Sequence, residues 1–104
     1  MGELLQSENL GFCPVGEGGL LAASGATKLG GSKPMNTSGG LECRGHPIGV
    51  TGLAQIAELT WQLRGETGKR QVKGARIALA QNGGGYVVTG PAANVITILE
   101  GNYA

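Results

Sequence analysis

At 104 residues the chain has room for one domain or a piece of one, and an independent domain of this size would bury roughly two-thirds of its unfolded surface. A net charge of +1 excludes the strongly basic balance of a nucleic-acid-binding protein, and one histidine with two cysteines (His46, Cys13, Cys43) cannot assemble a four-ligand zinc site, so no metal centre is expected. No apolar run reaches the roughly 18 residues of a membrane span. The opening Met-Gly-Glu-Leu-Leu-Gln-Ser-Glu-Asn is too acidic and polar for a secretory signal, and reduced thiols in a cytoplasmic chain are the expectation.

In chain order, residues 3–10 read as two closing turns of a helix, with Leu4, Leu5 and Leu10 apolar and Gly11 placed to terminate it. Two turns are not stable alone, so the chain is expected to begin inside an element. Residues 13–47 read as mostly irregular and rich in glycine. A loop that long in a compact domain is functional or disordered, and Leu20, Leu21, Leu29, Met35 and Leu41 argue against full disorder. The chain as a whole carries 21 glycines, about three times ordinary usage and without period, which implies tight turns and close backbone approaches.

Residues 48–64 give the clearest helical pattern. Thr51, Gln55, Glu58 and Gln62 form a single narrow polar stripe, and apolar residues fill the remaining girth. Such a helix belongs in a core with partners on at least two sides, and Leu53, Ile56, Ala57 and Leu59 are expected to be nearly inaccessible. Gly65 ends it. Residues 75–81 and 94–100 read as strands, the second apolar on both faces like a central strand, and Tyr86–Thr89 as a short third strand beyond the Gly83-Gly84-Gly85 tract. The expected class is therefore α/β, with a buried helix at 48–64 and two to three strands; residues 1–47 supply a helix end and a long glycine-rich loop. Five of the eight cations fall between Arg64 and Arg76, which reads as a solvated helix–strand loop, with a phosphate contact as the sharper alternative.

The chemistry concentrates in Asn36-Thr-Ser-Gly-Gly-Leu-Glu-Cys-Arg-Gly-His46-Pro-Ile-Gly-Val-Thr-Gly52. Pro47 suits the first position of the helix, which places His46 at or just before its N-cap. The positive end of the helix dipole disfavours imidazolium there, and a neutral imidazole among glycines is a good proton acceptor. Gly45 and Gly49 leave room for a ligand. On residue types alone, a general base and a mere helix cap both remain open for His46. The glycines do not space as G-x-G-x-x-G and no G-x-x-x-x-G-K occurs, so a nucleotide-binding module is disfavoured.

The pattern Asn-x-x-Gly-Gly followed by Gly-His-Pro-x-Gly-x-Thr-Gly resembles the signature near the C-terminus of thiolases. Leu10–Gly19, Leu53–Gly65 and Asn82–Gly85 are similar to the sterol-carrier-protein (lipid-transfer) branch of that family and to acetyl-CoA acetyltransferases. The resemblance covers nearly the whole chain. It implies a C-terminal fragment of a layered α-β-α-β-α fold about four times this length, in which the helix matching 48–64 lies between sheets. It further implies that His46 takes the proton of a nucleophilic cysteine carried by an N-terminal half, and that the thiolate attacks an acyl-CoA. Asn36, Gly45, Gly49, Asn82, Gly83 and Gly84 then border the substrate.

Many thiolases carry a second reactive cysteine in Cys-x-Gly-Gly-Gly. That position here is Gln81, which can donate a hydrogen bond to an oxyanion but cannot act as a thiol acid or base. Neither Cys13 nor Cys43 occupies a family nucleophile position. No bound cofactor is expected, since coenzyme A enters as part of the substrate. The expected partners are acyl-CoA and either a thiolase N-terminal half or a second copy of the chain; neither a nucleic acid nor a membrane span is expected. Three functions stay in play: part of an acyltransferase, a non-catalytic subunit completing a partner's site, and an inactive gene fragment.

Overall fold

A computed structural model describes residues 2–102, in two compact units divided between Thr37 and Ser38. The first unit holds α1 (Gly2–Asn9) and α2 (Gly18–Ala23). α1 ends as the sequence implies. Gly11, at φ +76°, lets Phe12 N–H reach Ser7 C=O at 2.8 Å and Gly11 N–H reach Glu8 C=O at 3.0 Å, a Schellman closure. The stretch beyond Cys13 is less irregular than expected. α2 opens on two glycines, poor helix formers, yet it forms because Glu8 of α1 accepts its first N–H, from Gly18, at 2.9 Å. Backbone hydrogen bonds from Gly16 and Gly18 hold the Glu8 carboxyl below the usual carboxylate range. Gly18 must be glycine, because a Cβ there would come within 2.5 Å of the Leu4 carbonyl oxygen.

The second unit runs through α3 (Gly40–Arg44), α4 (Thr51–Arg64), a 3-10 turn (Gly68–Arg70), β1 (Ile77–Val87) and β2 (Gly90–Glu100). The two strands pair antiparallel, from Ile77 opposite Glu100 to Val87 opposite Gly90. Both are longer than the sequence suggests. The glycine tract lies inside β1 rather than in a turn, Tyr86 and Val87 continue that strand, and Val88-Thr89 make the hairpin bend, so among the described residues the third strand does not exist. The class is α/β, with four α-helices and a two-stranded sheet among the described residues.

Helix α4 starts at Thr51, three residues later than the pattern suggests, because Ile48–Val50 form a turn instead. It ends at Gly65 (φ +74°), where Gly65 N–H and Glu66 N–H close onto Gln62 and Trp61 carbonyls. Its burial reverses the expectation. The polar stripe is the covered face, with Thr51 and Gln62 each 4% exposed and Glu58 8%, whereas Leu53 is 72% exposed and Ile56, Ala57 and Leu59 are half-buried. The physical reason is the partner each side meets. The stripe faces backbone that needs hydrogen bonds: Gln55 Nε2 donates to the Gln81 carbonyl (3.0 Å), Gln62 Nε2 to the Arg70 carbonyl (2.8 Å), and Val72 N–H donates to Gln62 Oε1 (2.8 Å). Of the apolar remainder, Leu63 is buried beside Gly101, whereas Leu53 stays open.

The sheet shows the same one-sidedness. Ala80 is buried, and Thr97 opposite it is half-buried, on the face that α4 covers. On the other face Ile77 is exposed, and so are Ile96 and Ile98, contrary to the central strand expected at 94–100.

Candidate functional site

His46 lies in an exposed segment between α3, which Gly45 closes at φ +77°, and the turn that leads into α4. It is not the N-cap of α4, a position held by Val50. The reason is that the helical hydrogen bonding starts late: the Pro47 carbonyl accepts from Val50 N–H (2.9 Å) and Thr51 N–H (3.0 Å), making Pro47–Val50 a turn rather than a helical first turn. His46 still reaches the helix. Its Nδ1 is 2.7 Å from Thr51 Oγ1, whose hydroxyl also lies 3.3 Å from the Pro47 carbonyl oxygen.

The glycine strand reaches the same helical turn. The Asn82 amide nitrogen stands 3.0 Å from where a Gly52 Cβ would project, so Gly52 makes room for Asn82 one residue beyond the partner of His46. The structure thus gathers His46, Thr51, Gly52 and Asn82 at the start of α4. Cβ positions at Gly45 and Gly49 would meet open space, and those at Gly83 and Gly84 would make only ordinary contacts. Gln81 is not brought to this turn by its side chain. Adjacent strand residues alternate in face, and Gln81 Nε2 donates across the hairpin to Asn94 Oδ1 at 2.6 Å, exposed; only its carbonyl engages α4. Asn36 belongs to the first unit. There it adopts φ +48° and donates from Nδ2 to Glu3 Oε2 at 3.4 Å.

Cys13 is half-buried and Cys43 exposed, both as free thiols. The Cys43 sulfur lies over the Cα of Gly39, at the start of α3.

Two features escaped the sequence reading. Thr51 reads as one member of a polar stripe, and only its place five residues after His46 could have singled it out. The other is the cation cluster, which is not simply solvated. Arg70 grips Glu58 in a two-pronged pair, Nε to Oε1 at 2.9 Å and Nη2 to Oε2 at 2.9 Å. The Arg70 hydrogen bonds hold the Glu58 carboxyl below the usual carboxylate range against the desolvation that would raise it, with smaller help from Gln62 and from the Arg44 charge. Trp61, Ala54, Ala57, Ser38 and Arg44 border the shallow cavity of about 370 Å³ above this pair.

Among the described residues, no helix is long and apolar enough to cross a membrane. Comparison with known proteins adds identity to this geometry. Over 90 residues, or 84% of its length, the chain is 59% identical to sterol carrier protein 2 of Rattus norvegicus, of which it covers 16%. It is 56% identical over 82 residues to an acetyl-CoA acetyltransferase of Methanothermobacter thermautotrophicus, covering 79% of this chain and 21% of that protein. It is also 47% identical over 89 residues to non-specific lipid-transfer protein-like 2 of Caenorhabditis elegans, covering 83% of this chain and 22% of that protein. The chain therefore spans about a fifth of the length of these curated relatives. A family described as thiolase C-terminal domain-like matches residues 1–100. With that match laid over the His46–Thr51–Asn82 arrangement, the chain belongs to the thiolase family, as a C-terminal part of it.

Proposed function

We propose that this chain supplies the general-base side of a thiolase-like acyltransferase site, for thiolytic cleavage or Claisen condensation of an acyl-CoA in lipid metabolism, in a cytoplasmic setting. The observation that carries the reading is the state of His46. Its Nδ1 is engaged by Thr51, its Nε2 has no hydrogen bond among the described residues, and the residue is exposed. A ring held on one side and open on the other can accept a proton from a group outside the chain. In this reading a thiol on the cysteine-bearing half gives its proton to His46. The electron pair remains on sulfur as thiolate, and that thiolate adds to the acyl carbonyl carbon as the C=O π pair moves onto the oxygen. Asn82, Gly83, Gly84, Gly45 and Gly49 border the acyl-CoA. Gln81, with its amide turned to Asn94, ties β1 to α4 through its carbonyl.

The exposed apolar side of α4, with Leu53 and Trp61, favours a second element of the proposal. The cysteine-bearing half seats there, as a separate chain or a joined one. The purified chain is expected to show no turnover of acetoacetyl-CoA with free CoA. Adding the N-terminal half of a related thiolase should restore turnover that His46→Ala abolishes. Turnover by the chain alone that survives His46→Ala, or that Cys43→Ser abolishes, sinks the assignment. Complex formation without any His46-dependent turnover supports instead a non-catalytic subunit that completes a partner's surface.

A further inference from the structure

A base is defined by which ring nitrogen holds the lone pair, and the surroundings of His46 bear on that choice. Thr51 Oγ1 sits between two groups, His46 Nδ1 at 2.7 Å and the Pro47 carbonyl oxygen at 3.3 Å. A hydroxyl has one proton to give. If Thr51 gave it to Nδ1, the Pro47 carbonyl would face an oxygen lone pair with no proton between them. If Thr51 gives it to Pro47, both contacts become hydrogen bonds, and Nδ1 must carry the proton that Thr51 accepts. The carbonyl already takes the N–H groups of Val50 and Thr51, which accounts for the longer third contact.

The threonine is well placed to hold this arrangement. It is 4% exposed, and a helical threonine readily turns its hydroxyl back to the carbonyl four residues earlier. We infer that Thr51 is a positioning residue that holds His46 as the Nδ1–H tautomer and leaves the Nε2 lone pair free. This rests on the reading of His46 as a base. The thiol proton then arrives on Nε2 while the Nδ1 proton stays where it is. The Nδ1–H···Oγ1 bond persists unchanged into the imidazolium, so proton uptake demands no rotation of either side chain.

The chain has a single histidine, so a long-range proton–nitrogen NMR spectrum of the ¹⁵N-labelled full chain reports one ring without assignment. With the ring neutral, the wild type and Thr51→Ser should show a protonated Nδ1 and a bare Nε2. Thr51→Val should revert toward the Nε2–H form that an unconstrained histidine side chain prefers. A bare Nδ1 in the wild type overturns the inference, as does a Thr51→Val ring whose tautomer matches the wild type. Should Thr51→Val fail to fold, the wild-type and Thr51→Ser spectra still decide. In the reconstituted pair, Thr51→Val should lower kcat about five- to tenfold, following the loss of the competent tautomer, with KM unchanged and Thr51→Ser near wild type. An equal loss in Thr51→Ser also overturns it. The two readings fail separately: a correct tautomer without His46-dependent turnover sinks the base assignment alone, and His46-dependent turnover with the other tautomer sinks the role of Thr51 alone.

Discussion

Replacing Glu58 by glutamine tests whether the covered polar stripe of α4 is held by charge or only by shape. The substitution keeps the side-chain length and one carbonyl oxygen but removes the negative charge that Arg70 meets at 2.9, 3.2 and 2.9 Å. Hydrogen bonds to charged groups contribute about 1.5–3 kcal/mol net. Here the carboxylate is 10% accessible in its side chain but its arginine partner is 42% accessible, so water screens the pair and brings the contribution to the bottom of that range or just below it. We expect Glu58→Gln to cost about 1–2 kcal/mol at neutral pH.

The pH dependence follows from the sign of the shift. The Glu58 carboxyl is depressed in the folded chain, so its contribution is fully present above the ordinary carboxylate range and is lost as pH falls through the folded value. Wild type and variant should therefore differ at pH 7 and converge under acid conditions, where both side chains are neutral. Glu8, also depressed, titrates in both and cancels in the comparison. Urea denaturation followed by the fluorescence of Trp61, the sole tryptophan and a neighbour of Glu58 on α4, reads the difference directly. A variant as stable as the wild type at pH 7, or a deficit of the same size at pH 7 and pH 2, would refute the argument.

The remaining expectations are smaller. Gly52→Ala removes a poor helix former, and its new methyl meets only the movable end of Asn82; it should melt at or above the wild type, by up to about 1 kcal/mol, while shifting the Asn82 amide resonance, and a loss beyond 1 kcal/mol would mean the contact is rigid. Leu53→Lys, at a 72% exposed position, should change the stability of the chain by less than about 0.5 kcal/mol yet weaken its capture of a thiolase N-terminal half in a titration. Gly18→Val should unseat α2 from α1, because its Cβ would overlap the Leu4 carbonyl, and hydrogen exchange at residues 18–23 should rise to that of an unprotected segment.

Local signals decided much of this chain. Gly11 and Gly65 end their helices as their positions imply, since a left-handed residue after a helix is a local requirement that glycine meets best. The spacing from Asn36 to Gly52 marks the family and His46 by itself, because a short motif carries its chemistry in residue identity. What each face of an element meets is not a local property. Periodicity separated the polar from the apolar side of α4 correctly, but only the arrival of the 65–72 backbone and of β1 put Thr51, Glu58 and Gln62 inside and left Leu53 outside. The same holds for the hairpin, whose central-strand composition says that Ile96 and Ile98 can be buried, not what would bury them. Thr51 became significant only when the turn from Pro47 carried its hydroxyl to the His46 ring, a meeting that depends on backbone path and that no residue pattern states.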